Sequence, residues 1–376
     1  MDMHVEKLDF GSGLMKLEEE WVDLLLRSSR PTIYSSFDYV CTSCSHFKRN
    51  EEVFFLVLRA KEDDRLLAIF PISIWNDIAY GIPVRRIEHG ITLAMTEVDK
   101  PYPIIDRDCE AECWKRFSEY LRKDFRQWDL VVYNELWPES GLNRHLRKLF
   151  PLPAYWTKTR PGPDSPIFAL DGDWDAFWNA HHHVRGKNRR IEKQLGDRLS
   201  FFITSDPEDV DRCLDAYIAT EQASTKTQAS LMWQEKQRFY RELFPKLAEK
   251  GRLYFAMLYD RDTVIAAHVS YVFDDRVYFA LCTFNPEYGK FSPGLVLHFR
   301  FIQFFHGKGY SEGDFLAGYA HYLNPWASYS EKTVNIQVRK IGWKNGYVVM
   351  RHLMGKVGAR CRRSVKSIAD QAANEG

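Results

Sequence analysis

The sequence has almost no excess of charge of either sign: it contains 52 Lys and Arg residues and 51 Asp and Glu residues, and the formal net charge is +1. A global electrostatic attraction to nucleic acid is therefore absent. No apolar run approaches the ~20 residues that a membrane-spanning helix needs. The segment from Met1 to Phe10 is charged and lacks the apolar core of a secretory signal, so we expect a cytoplasmic protein without a transmembrane segment.

Cysteines are few and scattered. Their number, seven, is odd, and their spacing suggests no disulfide framework, so we expect buried free thiols in a reducing compartment. Cys41 and Cys44 have the spacing of half a zinc clip, but no second Cys/His pair at ligand spacing follows them. The adjacent residues His181 to His183 point in different directions if they are helical. We therefore expect no metal site.

Apolar and aromatic residues are abundant. A chain of 376 residues, 45% hydrophobic and 15% aromatic, is too long for one ordinary core and suits two domains. Five prolines between Phe150 and Pro166 predict a linker or an irregular crossing there. We predict an N-terminal domain over residues 1–160, a second domain over 161–346, and a basic C-terminal helix and tail over 347–376.

The two halves show the same order of predicted elements: a hairpin with an acidic turn, a further strand, a helix and another strand. In the second half the strands are Arg252–Tyr259, Val264–Phe273 and Arg276–Thr283, followed by a loop and a helix from Gly294 to His306. This similarity predicts an internal repeat of one α/β unit.

The loop before the last of these helices has the chemistry of an anion site. Ser292 can cap the helix or donate its hydroxyl, Pro293 suits the first helical position, and Gly294 lets a bulky anion approach the backbone. An ordinary strand–loop–helix crossing explains these three residues equally well by itself. If the strand Arg276–Thr283 diverges from the strand near Gly313, its free edge can hydrogen-bond an amide-bearing pantetheine arm.

Residues 174–326 resemble the GNAT-like acetyltransferases of the cellulose-biosynthesis CelD type, which are similar to Fem-type peptidyl transferases. The first half resembles the N-terminal half of that family at Ser36–Tyr39 and Leu67–Ile72. The matching motifs of the second half are Phe239–Leu243, Arg252–Phe255, Asn285–Tyr288, Phe291–Leu295, Asp314–Leu316, Gly318, Tyr322 and Trp326.

The resemblance implies two tandem GNAT-like domains of the α/β class, each a mixed, mostly antiparallel sheet flanked by helices. The first domain would be degenerate, and the second would hold the donor. The residues implied to contact the donor are Leu281, Cys282, Thr283, Phe284, Ser292, Pro293, Gly294 and Leu295. Two departures indicate an acceptor unlike that of typical members: Tyr322–Trp326 contains no Lys or Arg, and Glu221–Lys226 contains no Trp.

Four residues are candidates for the chemistry of acyl transfer, which needs a base, an oxyanion donor and correct placement. Glu221 is the first candidate base, and its alternative is a solvated helix glutamate. Asp314 is a base or acceptor anchor, or else an Asp that hydrogen-bonds nearby backbone. His268 is a base or a core histidine. Tyr322 protonates the leaving thiolate, or only packs.

Three further residues, Lys226, Tyr319 and Trp326, are candidate substrate contacts. Cys282 could in principle be acylated, but a buried small apolar residue is the better interpretation. The basic run Arg185–Lys193 is a solvated helix face or a surface for an anionic acceptor, a carrier protein or a tRNA. The basic C-terminal stretch is a solvated helix or makes weak peripheral contact with anionic lipid.

The sequence thus predicts an acyltransferase that moves an acyl group from acyl-CoA or an acyl carrier protein to an amine or hydroxyl of a small-molecule or saccharide acceptor. We expect no tightly bound cofactor. The alternatives are a Fem-like transferase that uses aminoacyl-tRNA and a non-catalytic binding protein on the same scaffold.

Overall fold

The structure of the chain is a computed structural model that describes residues 2–47, 52–89, 100, 102–224, 234–316, 326–348 and 350–351. The strands are β1 (Met3–Asp9), β2 (Glu52–Ala60), β3 (Leu66–Ala79), β4 (Ile82–His89), β5 (Ile104–Ile105), β6 (Leu130–Leu136), β7 (Tyr155–Pro161), β8 (Ser165–Ala169), β9 (Leu199–Thr204), β10 (Leu253–Asp260), β11 (Thr263–Phe273), β12 (Arg276–Phe284), β13 (Glu312–Asp314), β14 (Tyr329–Glu331) and β15 (Val334–Lys340). The helices are α1 (Ser12–Met15), α2 (Glu18–Arg27), α3 (Phe37–Phe47), α4 (Glu110–Lys123), α5 (Gly141–Leu149), α6 (Trp174–Ala180), α7 (His182–Leu195), α8 (Val210–Ala223), α9 (Gln234–Glu249) and α10 (Pro293–His306).

Two mixed sheets with the same internal order form the molecule. The first has the order β1-β2-β3-β4-β6-β15-β7, with β5 beside β3, and the second has the order β9-β10-β11-β12-β13-β8-β14. In each sheet the fourth and fifth strands run parallel and the remaining neighbours along the order run antiparallel. The parallel pairs follow from crossovers that contain helices, α4 in the first sheet and α10 in the second. The predicted repeat of one α/β unit is therefore confirmed.

The sheets exchange strands at their far ends. β7 belongs to the first sheet and β8 to the second, whereas β14 belongs to the second and β15 to the first. The segment from Phe150 to Pro166, predicted as a linker or an irregular crossing, contains β7 and the start of β8, and the chain crosses from the first sheet to the second between these strands. β7 is an edge strand, where proline is tolerated since one side needs no ladder hydrogen bonds. The topology also shows that β15, inside the predicted 161–346 domain, completes the first sheet.

Local sequence explains the tight hairpins. Asp64, Arg261 and Asp274 occupy the left-handed region, with φ of 58°, 53° and 54°. These are the charged turns that join β2 to β3, β10 to β11 and β11 to β12, as the sequence predicted. Short polar side chains such as Asp tolerate this conformation better than bulky or branched ones do.

The two halves share one continuous core. Helix α3 of the first half lies against α9, and the short turn Ile33–Ser35 before it lies against β11 of the second sheet. The ring of Tyr39 contacts Phe239 edge-on at 5.6 Å, and the ring of Tyr34 contacts Tyr278 at 5.9 Å. The second sheet is therefore covered on one face by α8, α9 and the first half, and on the other by α7 and α10.

Among the described helices, none is long and apolar enough to cross a membrane. The six cysteines in the described ranges are free thiols, and five of them are buried, as expected; Cys282 is half-buried. Cys361 and most of the predicted C-terminal helix lie outside the described residues.

Candidate donor and acceptor site

The predicted donor loop connects β12 to α10 through a short 3-10 turn, Pro286–Phe291. The side chain of Asn285 caps this turn by accepting the backbone N–H of Glu287 at 3.0 Å. Ser292 then adopts the left-handed conformation, with φ of 53° and ψ of 54°, and Pro293 starts the helix. Pro293 has no N–H, and the N–H groups of Leu295 and Val296 donate to the carbonyl of Ser292 at 3.0 and 3.2 Å, which leaves the N–H of Gly294 for a ligand. The positive end of the dipole of this 14-residue helix faces the loop.

A lysine from another helix completes the loop. The Nζ of Lys187, on α7, lies 3.0 Å from the Oγ of Ser292 and donates to it. A cation at a helix N-terminus is unfavourable by itself, because both carry positive charge, and an anion placed between them relieves the repulsion. Lys187 belongs to the basic run Arg185–Lys193. The run and the loop could not be joined from the sequence alone, because no local pattern links residues 105 positions apart.

The edge of β12 beside this loop diverges from β13, which is the condition for a free strand edge there. The two strands pair only from Arg276 with Glu312 to Tyr278 with Asp314. Within the described ranges, residues 279–284 have no strand partner on that side. On its other side, β13 pairs Gly313 with Phe168 of β8, and a Cβ on Gly313 would lie 2.1 Å from Cζ of the Phe168 ring.

A β-bulge interrupts β12 opposite β11. Val269 pairs with Leu281 and Ser270 with Phe279, so Ala280 is the extra residue. A bulge turns backbone groups out of the regular ladder. It lies in the part of β12 that diverges from β13, where an N–H directed into the gap can stabilise a developing oxyanion.

The candidate donor residues divide between side-chain and backbone roles. Half-buried side chains belong to Cys282, Phe284, Ser292 and Leu295. The remaining four, which are buried and can offer only backbone groups to a ligand, are Leu281, Thr283, Pro293 and Gly294.

Two candidate bases lie on opposite faces of the second sheet. Glu221 is buried near the end of α8, on the same helical face as the buried residues Leu214 and Tyr217, and this face packs against β11 and β12. His268 is directly opposite Cys282 in the antiparallel ladder, and both side chains face α10. The sheet therefore separates Glu221 from His268, and the two cannot act on one acceptor together.

His268 lies in an aromatic environment. Its ring is fully buried, with the rings of His298 and Phe301 at 4.4 and 5.3 Å. The ligand atoms of His268, Cys282 and His298 all lie within 4.8 Å of one another. Burial lowers the pKa of His298 to about 3, so this imidazole is neutral near pH 7. His298 was not among the candidates from the sequence. It lies in an apolar helix one turn after Gly294, and nothing else in its local sequence marks it as a functional residue.

Asp314 is part of a buried network of charges that joins the two halves. Its Oδ2 lies 2.6 Å from the Nζ of Lys100 and 3.4 Å from Nη1 of Arg276, and its Oδ1 accepts the backbone N–H of Leu316 at 2.8 Å. Glu331 contacts Lys100 at 2.7 Å and Arg276 at 3.2 Å.

Two more charged residues complete this network. Glu312 contacts Arg276 at 2.5 Å, and Arg30 lies 3.6 Å from Glu331. Burial alone would lower the pKa of Arg276, but Glu331 and the other carboxylates raise it overall. Three cations and three anions therefore balance, and the contacts of Asp314 join β13 to residues of both halves. Its backbone hydrogen bond agrees with the alternative interpretation of Asp314 in the sequence analysis.

A cavity of about 200 Å³ opens beside this network, between the two halves. Arg30, Lys100 and Arg276 contribute to its lining, as do Asp275 and Glu312. The mixture of charges suits a polar ligand.

The remaining predicted contacts are placed only in part. Trp326 is buried, and its ring lies 6.1 Å from Phe299 and 6.2 Å from His298, within the core beneath α10. Lys226, Tyr319 and Tyr322 lie outside the described residues.

Comparison with protein families supports the GNAT-like part of the resemblance in the second half, and the CelD type stays a prediction. Residues 179–323 match the family model described as "Acetyltransferase (GNAT) domain", close to the 174–326 range of the sequence-based resemblance. No curated protein matches the sequence.

Solved structures share the fold over nearly the whole chain. FemX aligns with a TM-score of 0.58 and 9% identity, over 89% of this chain and 97% of that one. The C-terminal domain of a putative lysylphosphatidylglycerol synthetase from Agrobacterium fabrum aligns with a TM-score of 0.53 and 13% identity, over 90% and 95%. L-PGS from Bacillus licheniformis aligns with a TM-score of 0.52 and 12% identity, over 88% and 94%. At these identities the likeness concerns the fold. The chain thus has an α/β fold of two mixed sheets flanked by helices, and the predicted fold class is confirmed.

Proposed function

We propose that the protein is an acyltransferase that takes an acyl group from a pantetheine thioester, with coenzyme A as the carrier, and transfers it to an amine or hydroxyl. The observation that carries the proposal is the contact of Lys187 with Ser292 at the N-terminus of α10. An ammonium, a hydroxyl and the N–H of Gly294 converge there at the positive end of the α10 dipole, and together they suit a pyrophosphate.

The divergence of β12 from β13 gives the pantetheine arm a place. Its amides can hydrogen-bond the strand edge at residues 279–284, as a further strand would. In this pose the phosphates lie at Ser292 and the thioester lies deeper along β12, near the bulge at Ala280. The bulge then supplies a backbone N–H to the carbonyl oxygen of the thioester.

The reaction requires no covalent intermediate. The acceptor amine or hydroxyl attacks the thioester carbon in a ternary complex, and the carbon–sulfur bond breaks as the tetrahedral intermediate collapses. Glu221 takes the proton of the acceptor from the α8 face, and Tyr322 returns a proton to the departing thiolate. We assign Asp314 to the network that holds the two halves, and not to proton transfer.

The acceptor belongs on the face shared by α8 and the first half, because Glu221 lies there. A small-molecule or saccharide acceptor fits the proposal, and the resemblance to the CelD type favours it. An acyl carrier protein presents the same pantetheine arm and can replace coenzyme A, with the basic helix α7 as its docking surface.

The test combines binding with turnover. Excess acetyl-CoA should raise the melting temperature of the full chain, and at 100 times Kd the stabilisation is about 2.7 kcal/mol. Glu221→Gln should keep this shift and lose thioester turnover, whereas Glu208→Gln, on the exposed turn before α8, should keep both. The absence of a shift with CoA and with every acyl-CoA would refute the CoA donor.

A Fem-like transferase that uses aminoacyl-tRNA is the second candidate function. The shared fold with FemX and the basic residues of α7 beside the donor loop favour it. Ribonuclease treatment of a cell extract that supports activity separates the two: lost activity points to tRNA, and unchanged activity to the thioester.

Turnover that survives Glu221→Gln unchanged would contradict the catalytic base, and a chain that binds donor without turning it over would point to a binding protein.

A further inference from the structure

We propose that His268, Cys282 and His298 bind one transition-metal ion of the Zn²⁺ class, and that the ion fastens α10 to the second sheet. The proposal does not depend on the donor or on acyl transfer. It rests on the arrangement of three donor side chains from three different elements, β11, β12 and α10.

The sheet supplies two of the ligands as a cross-strand pair. His268 on β11 and Cys282 on β12 are direct partners in the antiparallel register. Side chains at such positions leave the same face of the sheet with Cβ atoms about 4.5–5.5 Å apart. An imidazole and a thiol are thus fixed side by side, without any loop to order.

The helix that covers this face supplies the third ligand. His298 lies in the second turn of α10, and its ring lies 4.4 Å from that of His268, edge to face. The nitrogen and sulfur donor atoms of the three residues fall within 4.8 Å of one another. Zinc bonds of about 2.0–2.3 Å in tetrahedral geometry place ligand atoms about 3.5 Å apart, so closure needs side-chain movements of about 1 Å.

The chemistry of the cluster selects the kind of ion. Two imidazoles and a thiol suit Zn²⁺ and its analogue Co²⁺, whereas Mg²⁺ and Ca²⁺ require oxygen ligands. The surroundings are apolar, since Phe279 and Phe315 lie within 5.5 Å of the His298 ring. Cys282 is the half-buried member, so the ion enters from its side and a water completes the coordination there.

The position of the cluster gives the ion a structural consequence. A Cβ on Gly294 would lie 3.7 Å from Sγ of Cys282, so the thiol lies directly beneath the first turn of α10. A bound ion links this turn to β11 and β12. It should therefore stabilise the helix end that follows Ser292.

The experiment uses the full chain, stripped with a chelator and then titrated with Co²⁺. Tetrahedral Co²⁺ bound to a thiolate gives an intense visible spectrum and a sulfur-to-cobalt charge-transfer band in the near ultraviolet. We expect this spectrum to saturate at one Co²⁺ per chain and to disappear when Zn²⁺ is added. Zn²⁺ should also raise the melting temperature of the stripped protein.

Variants assign the ligands. Cys282→Ser should abolish the charge-transfer band. It should also weaken Co²⁺ binding by more than about 100-fold, because loss of a group that only supports a ligand already weakens metal binding by about 10–100-fold. His298→Gln should weaken binding similarly, with folding checked by circular dichroism. Cys213→Ser removes a buried thiol on α8 and should leave the titration unchanged.

Three results would overturn the proposal: a stripped protein that shows no thiolate–cobalt band, a band that persists in Cys282→Ser, or an equal loss in Cys213→Ser. None of them bears on donor binding, which is measured separately with acetyl-CoA.

Discussion

The substitution Asp314→Asn tests whether this carboxylate holds the two halves together. The change keeps the size of the side chain and a carbonyl oxygen for the N–H of Leu316, but removes a negative charge that is completely buried. Lys100, which is 2% exposed, then loses its partner at 2.6 Å. Breaking a buried pair by removing one partner costs about 3–5 kcal/mol.

The magnitude for this site falls at the lower end of that range. Glu331 still lies 2.7 Å from Lys100, so the ammonium keeps one of its two carboxylates. We therefore expect the free energy of unfolding to fall by about 3 kcal/mol. Urea unfolding of the full chain, followed by circular dichroism and by tryptophan fluorescence, measures this loss.

A matched control removes an exposed charge of the same kind. Asp164 pairs with Lys332 on the surface, where both side chains are largely in water. Asp164→Asn should change stability by less than about 1 kcal/mol. If Asp314→Asn unfolds like the wild type while its turnover is lost, then Asp314 is a catalytic base and the structural interpretation fails.

Two other predictions concern the second sheet. Gly313→Ala should lower the free energy of unfolding in urea by about 1–3 kcal/mol, because the new Cβ would lie 2.1 Å from the Phe168 ring. Gly172 has open space around it, so Gly172→Ala should change this free energy by less than about 0.5 kcal/mol. With a chelator present, the free energy of unfolding should fall as the pH is lowered from 6.5 towards 3. His298 has a pKa of about 3 in the folded chain and about 6.5 in the unfolded chain, so the unfolded state binds more protons across this window. The expected loss from His298 is about 2 kcal/mol at pH 5, and His298→Phe should remove that share of the slope. Equal effects of the two glycine variants, or an unchanged slope in His298→Phe, would contradict these assignments.

The fold could be predicted from sequence where local chemistry decides it. Alternating apolar runs, charged turns such as Asp274-Asp275 and the Ser292-Pro293 helix start each act over a few residues, and the structure contains the corresponding elements. The repeated order of these elements then predicted the repeat. The exchange of β8 and β15 between the sheets could not be predicted, because a strand pattern does not identify the sheet that it joins.

The site was predictable only along single segments. The loop that ends at the Ser292-Pro293 helix start could be predicted from neighbouring residues, whereas the contacts of Lys187 with Ser292 and of Lys100 with Asp314 join distant positions. Burial also left no sign in the sequence: Lys100 is an ordinary lysine until Asp314 and Glu331 of the second sheet pack against it. The same holds for His298, which becomes significant only when α10 packs above His268 and Cys282.

The affinity of acetyl-CoA for three forms of the full chain, measured by calorimetry, tests the central claim most directly. The wild type should bind, and Lys187→Ala should bind about ten- to hundredfold more weakly, since a hydrogen bond to a charged group contributes about 1.5–3 kcal/mol. Lys193→Ala, which removes an exposed lysine from the same helix, should bind like the wild type. No binding by the wild type, or equal weakening in the two lysine variants, would contradict a pantetheine donor held at Ser292.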